Sequence, residues 1–191
     1  MLLEDDQFNP DQAISTQGAL GATPALPGGS GQDDDPCSRP RSERYYYQPL
    51  IDGAPTGARA LMCPSDLKPK NSRGDRKGTW EPPGWVSAED KSGNPAFNRS
   101  HIIGDRFYGD WIKENIFTGF REMNSPDMRK CENRMARELK ARRSVLYSGQ
   151  LEYGNGRQNI PTAITMSAYT INGPTFSGVR IANTPGRQVT C

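Results

Sequence analysis

"NSPDMRKCENRMARELKARRS", residues 124–144, decides the fold class. Ser125 suits a helix N-cap, Pro126 suits the first helical position, and Asp127 places negative charge in the first turn, where the helix dipole favours it. Met128, Cys131, Met135 and Leu139 follow at steps of 3, 4 and 4, one apolar stripe on a helix. Lys130, Arg134, Arg137 and Lys140 lie round the other side. Glu132 sits at the edge of the stripe, where its carboxylate is partly shielded.

Strand signals flank this helix. "SVLYSGQLEY" (144–153) and "NIPTAITMSAYTI" (159–171) have the β-branched and aromatic content of two strands, joined through "GNGRQ" as a hairpin. "GVRIAN" (178–183) reads as a short last strand. Upstream, "RYYYQPLI" (44–51) pairs with "ARALMC" (58–63) across "DGAPTG". Residues 64–95 are broken by four prolines besides Pro95 and read as loop, with Trp80 and Trp85 anchoring it on the core. Strands, a long loop, one helix and more strands make an α+β domain.

Composition narrows the class. The 191 residues include 20 Gly and 16 Pro, which suits a loop-rich fold with a modest core. No stretch approaches the roughly 20 apolar residues of a membrane span. The net charge of +2 hides an asymmetry, since residues 1–36 carry seven acids and no Lys or Arg. The remainder holds 24 basic and 15 acidic residues, a charge of +9. Residues 1–36 read as a disordered acidic tail or linker and 37–191 as the functional domain, whose charge suits a polyanionic partner.

Four cysteines, Cys37, Cys63, Cys131 and Cys191, are too widely spaced for a zinc site. An even number fits two disulfides in an exported protein, in any of three pairings, with free thiols in a cytosolic protein as the alternative; at least one bridge is expected, Cys37–Cys63 first, because it tethers the linker's end to an early strand. The opening "MLLEDDQ" is acidic and has no apolar signal core, so export would need either a signal already removed or another route.

His101, within "NPAFNRSHIIGDRF" (94–107), is the chain's one histidine. Ser–His or Cys–His chemistry would need a nucleophile beside it, and Cys131 is committed to the apolar stripe. Phosphodiester hydrolysis asks for less: a base for water, a hard cation on the phosphate oxygens and a positive charge. Neutral imidazole is such a base, and Mg²⁺ keeps several waters, so one amide or carboxylate oxygen can hold it. Asn115, Asn124, Glu132 and Arg99 supply the rest.

"FNRSHIIGDRF", "ENIFTGFREMN", "CENRMARELK", "VLYSGQLEY", "IPTAITMSA" and "ANTPG", in that order, resemble the secreted DNA/RNA non-specific endonucleases of the ββα-metal (His-Me finger) superfamily. The resemblance runs from about Tyr45 to Pro185. The usual Asp-Arg-Gly-His motif appears here as its Asn-Arg-Ser-His variant, with Asn98 and Ser100 replacing Asp and Gly. The resemblance implies a ββα-metal core with an antiparallel sheet, long loops and one main helix. It also implies roles. His101 is the general base and Asn124 the direct Mg²⁺ ligand, with Mn²⁺ as a substitute. Glu132 orients water around the metal, Asn115 fixes the water or the base, and Arg99 lies near the phosphate. The family's further helix arginine falls on Ala136, so Arg137 beside it becomes the expected phosphate contact. An unbroken helix would put Asn124 and Glu132 roughly 12 Å apart, so Asn124 should precede the helix and Glu132 should act through water.

The expectation is a Mg²⁺-dependent endonuclease of little sequence specificity, cutting DNA, with RNA as a second candidate substrate, and leaving 5′ phosphate. Three settings suit it: a secreted nutritional nuclease, a DNA-entry nuclease, or a toxin domain delivered into rival cells and held by a cognate inhibitor. None involves a membrane. One alternative is a nucleic-acid-binding module without catalysis, and another is a disulfide-stabilised adhesion domain.

Removing residues 1–36 removes seven acids that repel the same polyanion. With His101→Ala to prevent cutting, the truncated chain should bind labelled DNA as well as the full chain or more tightly, the difference shrinking as salt rises. Loss of binding on truncation would make the tail part of the recognition surface.

Overall fold

The computed structural model describes residues 35–69, 72, 80–154, 159–186 and 191. The acidic segment up to residue 34, residues 155–158 of the "GNGRQ" connection and residues 187–190 lie outside the described residues. So do several positions between 70 and 79.

A short helix α1 (Arg41–Arg44) leads into a five-stranded antiparallel sheet. Its strands are β1 (Tyr45–Tyr47), β2 (Gly57–Met62), β5 (Val145–Glu152), β6 (Ala163–Thr170) and β7 (Gly173–Ala182), in that spatial order. A separate antiparallel pair, β3 (Phe97–His101) and β4 (Ile116–Phe120), stands between β2 and β5 in the chain. The long helix α2 (Arg129–Lys140) follows it and packs on β5, β6 and β7. The architecture is α+β, as the flanking strand signals imply.

Alternation along β5 builds the core. Val145, Tyr147 and Leu151 are buried, while Leu146, Ser148, Gln150 and Glu152 lie nearer the surface. Tyr147 pairs with Ala60 on one side and Ala168 on the other, so small side chains make room for the phenol ring. The α2 stripe Met128, Cys131, Met135 and Leu139 closes this face, joined by Ile102, Ile103 and Phe117 from the β3–β4 region.

Three elements differ from the sequence expectation. The pair β3–β4 has no signal of its own in "FNRSH" or "IFTGF", because three polar residues and a glycine mask the strand pattern. The last strand begins at Gly173, five residues before "GVRIAN", with irregular pairing between Met166 and Tyr169. Ser125 makes no capping hydrogen bond; it is extended (φ −148°, ψ 110°) within a wide helical turn, Met123–Met128, and regular helix starts at Arg129. The backbone break at Ser125 does separate Asn124 from the helix carrying Glu132.

Both disulfides are present, Cys37–Cys63 and Cys131–Cys191. Beside the first, Asp66 is buried and holds Arg44 through two hydrogen bonds of 2.5 and 3.1 Å, while accepting from the Cys63 backbone N–H at 2.7 Å. Cys37→Ser combined with Cys63→Ser frees a loop of 26 residues. The pair should lower the unfolding free energy by about 3 kcal/mol in urea titrations. Alkylation of the unreduced protein should find no free thiol; four free thiols would reject both bridges.

Candidate active site

His101 is the last residue of β3, and Ile102 and Ile103 drop into the core directly after it. Strand alternation puts Arg99 and His101 on one face and the buried Ser100 on the other. The imidazole packs edge-on against Trp111, centroids 4.4 Å apart. Its Nε2 is buried and has no hydrogen-bond partner among the described residues. Burial pushes the imidazole pKa down to about 4 against a pull upward from Asp105, so the ring is neutral at neutral pH.

The segment after His101 is tied down by hydroxyls and an amide. Tyr147 donates to the Ile102 carbonyl at 2.7 Å and Tyr45 to the Phe107 carbonyl at 2.7 Å, while Asp110 N–H donates to the Tyr47 hydroxyl at 2.9 Å. Asn115 is fully buried. Its Oδ1 accepts from Ile103 N–H at 2.8 Å, and its Nδ2 donates to the carbonyls of Ile103 (3.1 Å) and Asp110 (2.9 Å). Both ends of the Asn115 amide are thus spent on backbone. Gly109 is required here, since a Cβ would lie 1.7 Å from the Ile103 carbonyl oxygen.

Glu132 lies in the first turn of α2 with its side chain 18% exposed. Its carboxylate rests on Gly104, where a Cβ would come within 2.4 Å of Oε1. Burial raises its pKa to about 7; Arg106, with Nη1 4.0 Å from Oε2, pulls the other way. Asp105 acts on both Glu132 and His101, and is itself held by Lys68 at 2.8 Å and by Trp111 Nε1–H at 3.4 Å. Lys68, Asp105, Arg106 and Trp111 went unread in the sequence. Only Asp105 and Arg106, in "HIIGDRF", carried any signal, as charges beside the histidine.

Arg99 is committed to the preceding loop: its Nε donates to the Trp80 carbonyl at 3.2 Å and its guanidinium lies 4.5 Å from the Trp85 ring centroid. Asn124 is partly exposed, and no described residue hydrogen-bonds its amide or ties it to His101 or Glu132. Arg137 is not brought to this site. It sits five residues after Glu132, about 140° round the helix, and lines a different groove.

No cluster of three or more His, Cys, Asp or Glu suited to a metal occurs among the described residues. The donors at hand are hard oxygens, the unengaged Asn124 amide and the Glu132 carboxylate. Such a set fits a cation that keeps most of its waters, as Mg²⁺ does, better than zinc.

The family model for DNA/RNA non-specific endonucleases matches residues 42–172. The chain belongs to this family. The endonuclease has the fold of solved relatives at low identity. NucA from Streptococcus agalactiae, in a magnesium-bound crystal structure, matches with TM-score 0.62 at 19% identity over 74% of this chain and 71% of that one. The Sda1 nuclease, in a zinc-bound structure, gives 0.58 at 21% over 73% and 75%. A protein described as an extracellular endonuclease gives 0.55 at 14% over 75% and 79%. No curated protein matches by sequence. No helix among the described residues is long and apolar enough to cross a membrane.

The depressed imidazole has a measurable consequence for this endonuclease. An unfolded histidine titrates near 6.5, the folded one near 4. Between these values the unfolded chain binds a proton that the folded chain does not, so His101 withdraws stability as pH falls through that window. His101→Gln lacks this titration. From about pH 7 to about 4.5 the Tm difference should move steadily in the variant's favour. A constant difference would mean that the ring is solvated.

Proposed function

We propose that the protein hydrolyses DNA, and RNA as a second substrate, by a one-histidine mechanism with a divalent cation. The observation that carries this reading is the buried, unpartnered Nε2 of His101. A neutral imidazole with a free lone pair is a base in waiting.

His101 accepts a proton at Nε2 from water, which attacks phosphorus in line as the 3′ oxygen departs, leaving 5′ phosphate. A bound phosphodiester brings negative charge beside the ring and raises the imidazole pKa toward the working pH; Asp105 then stabilises the imidazolium. Asn115 is a positioning residue, because its contacts fix the backbone on which His101 sits. Asn124 and Glu132 would hold the cation, Glu132 chiefly through water. Mg²⁺ bound there, or Mn²⁺ in its place, supplies positive charge to the phosphate oxygens and the leaving oxygen. Arg106 is near enough to Glu132 to face the same phosphate, whereas Arg99 acts by holding the Trp80–Trp85 segment against the motif strand. Contacts to the backbone alone explain low sequence specificity.

The two disulfides and the extracellular relative support secretion or delivery into target cells. We take residues 1–36 as a linker and 37–191 as the nuclease domain. A toxin role would bring a cognate inhibitor as partner.

His101→Ala should retain its fold and DNA binding but lose about 10²- to 10⁴-fold in plasmid cleavage, the usual worth of a general base. A rate within tenfold of wild type would remove His101 from the role. Asn124→Ala should lower cleavage at every Mg²⁺ concentration, without recovery at high metal; an unchanged Mg²⁺ curve would place the ligand elsewhere.

A further inference from the structure

Helix α2 presents a second basic surface that the catalytic reading does not use. Arg134 lies two residues after Glu132, about 200° round the helix, so the two occupy opposite flanks of the buried stripe. On the Arg134 flank a groove of about 420 Å³ opens between α2 and the turn joining β6 to β7. Arg134, Arg137 and Arg143 line it against one acid, Glu138, with Asn172 on the turn side.

The groove is built rather than a chance gathering of mobile cations. Arg134 donates to the Thr175 carbonyl and lies 5.8 Å from the Phe176 ring centroid. Arg143 is held by Glu138 at 2.5 Å. Arg137 is exposed and has no ion-pair partner among the described residues. Two held guanidinium groups, Arg134 and Arg143, and the exposed one of Arg137 around one carboxylate leave an excess of two positive charges, with donors suited to phosphate oxygens. At the tip of the same turn Ile171 is 95% exposed, an apolar prong beside the charged groove. The solvent face of α2, with Arg129, Lys130, Arg137 and Lys140 all exposed, joins this groove to the Glu132 flank.

We propose that the groove between α2 and the β6–β7 turn is a second phosphate-binding site, which holds the sugar–phosphate backbone of a long nucleic acid beyond the segment being cut. The polyanion crosses the basic outer face of α2, its phosphates seat among Arg134, Arg137 and Arg143, and Ile171 rests against the sugars or base edges. Arginine with an exposed isoleucine also suits a protein partner, but three arginines against one glutamate on a nuclease favour the polyanion. The proposal rests on the nuclease reading for its choice of ligand.

Two substitutions test it without touching the catalytic centre. Asn172→Glu places an acid on the exposed turn, and Glu138→Gln removes the groove's own acid. Binding is measured by fluorescence anisotropy on the full chain, without Mg²⁺, using labelled duplexes of about one helical turn and about four turns. On the long duplex N172E should weaken binding about 3- to 10-fold and E138Q should tighten it. On the short duplex both should match wild type. Arg137→Gln should lower the salt slope of log K on the long duplex by about one. KM for cleavage should follow the same order with kcat unchanged. The proposal is overturned if N172E and E138Q leave long-duplex binding unchanged, which would assign the groove to another partner. Equal shifts on short and long duplexes would also overturn it, since they show a diffuse field rather than a site. Because anisotropy needs no cleavage, a protein that binds through the groove yet cuts nothing would sink the nuclease reading and leave the groove standing.

Discussion

The geometry of this molecule depends on how the backbone after His101 is held. Residues 102–110 form an irregular loop, and such loops are normally mobile. Here three tyrosine hydroxyls from the large sheet, Tyr45, Tyr47 and Tyr147, bond its backbone at Phe107, Asp110 and Ile102. Asn115 closes it from the other side, spanning Ile103 and Asp110. Each bond alone is worth about 1 kcal/mol, but a buried backbone group left unpaired costs more, so the set is hard to dissolve piecemeal. The result is an imidazole on a rigid mount. The backbone of His101 is held by the register of β3 with β4 and by the burial of Ile102, and its ring by the edge of Trp111.

That mount also sets the electrostatics. Burial disfavours the charged form of both His101 and Glu132, lowering one pKa to about 4 and raising the other to about 7. Charge at the centre is carried by residues at its margin, Asp105 with Lys68 and Arg106 with Asn133. Proton affinity at the imidazole is therefore set by what approaches it, since its own surroundings leave it neutral. Any negative charge brought beside the ring would raise its proton affinity, as Asp105 already does in part.

Elements whose pattern is periodic were legible in the sequence. The Met128–Leu139 stripe and the alternation of β5 come from core burial, which leaves a direct imprint on residue order. Strands β3 and β4 left none, because their side chains serve different ends. Asn98, Arg99 and Ser100 are polar, and Gly119 is dictated by Ser100 and Met123, which a Cβ would approach within 2.3 and 2.7 Å. Only the ordered motifs, not the residues' propensities, pointed there. The sequence singled out Asn115 as a residue that fixes the water or the base, but its part as a backbone clip left no signal, since its three bonds to the backbone of Ile103 and Asp110 cannot be inferred from one amide. Arg137 was misplaced for a related reason. Its sequence position beside a family arginine says nothing of its angle on the helix, and that angle sends it to the far groove.

Helix α2 therefore works as an axle whose rotation serves three faces at once. Cys131 points into the core and is bonded to Cys191, and its neighbour Glu132 is consequently aimed at Gly104. Two residues on, Arg134 is aimed at the Thr175 carbonyl on the opposite flank. A turn of the helix by one position, about 100°, would move Glu132 off Gly104 and Arg134 off the groove together. The methionine stripe opposes that motion through packing, and Cys131, bonded to Cys191, sits in the same core. In a chain with so many glycines and prolines and a modest core, that packing does more than add stability. It holds the one angle on which the carboxylate, the core and the outer arginines all depend.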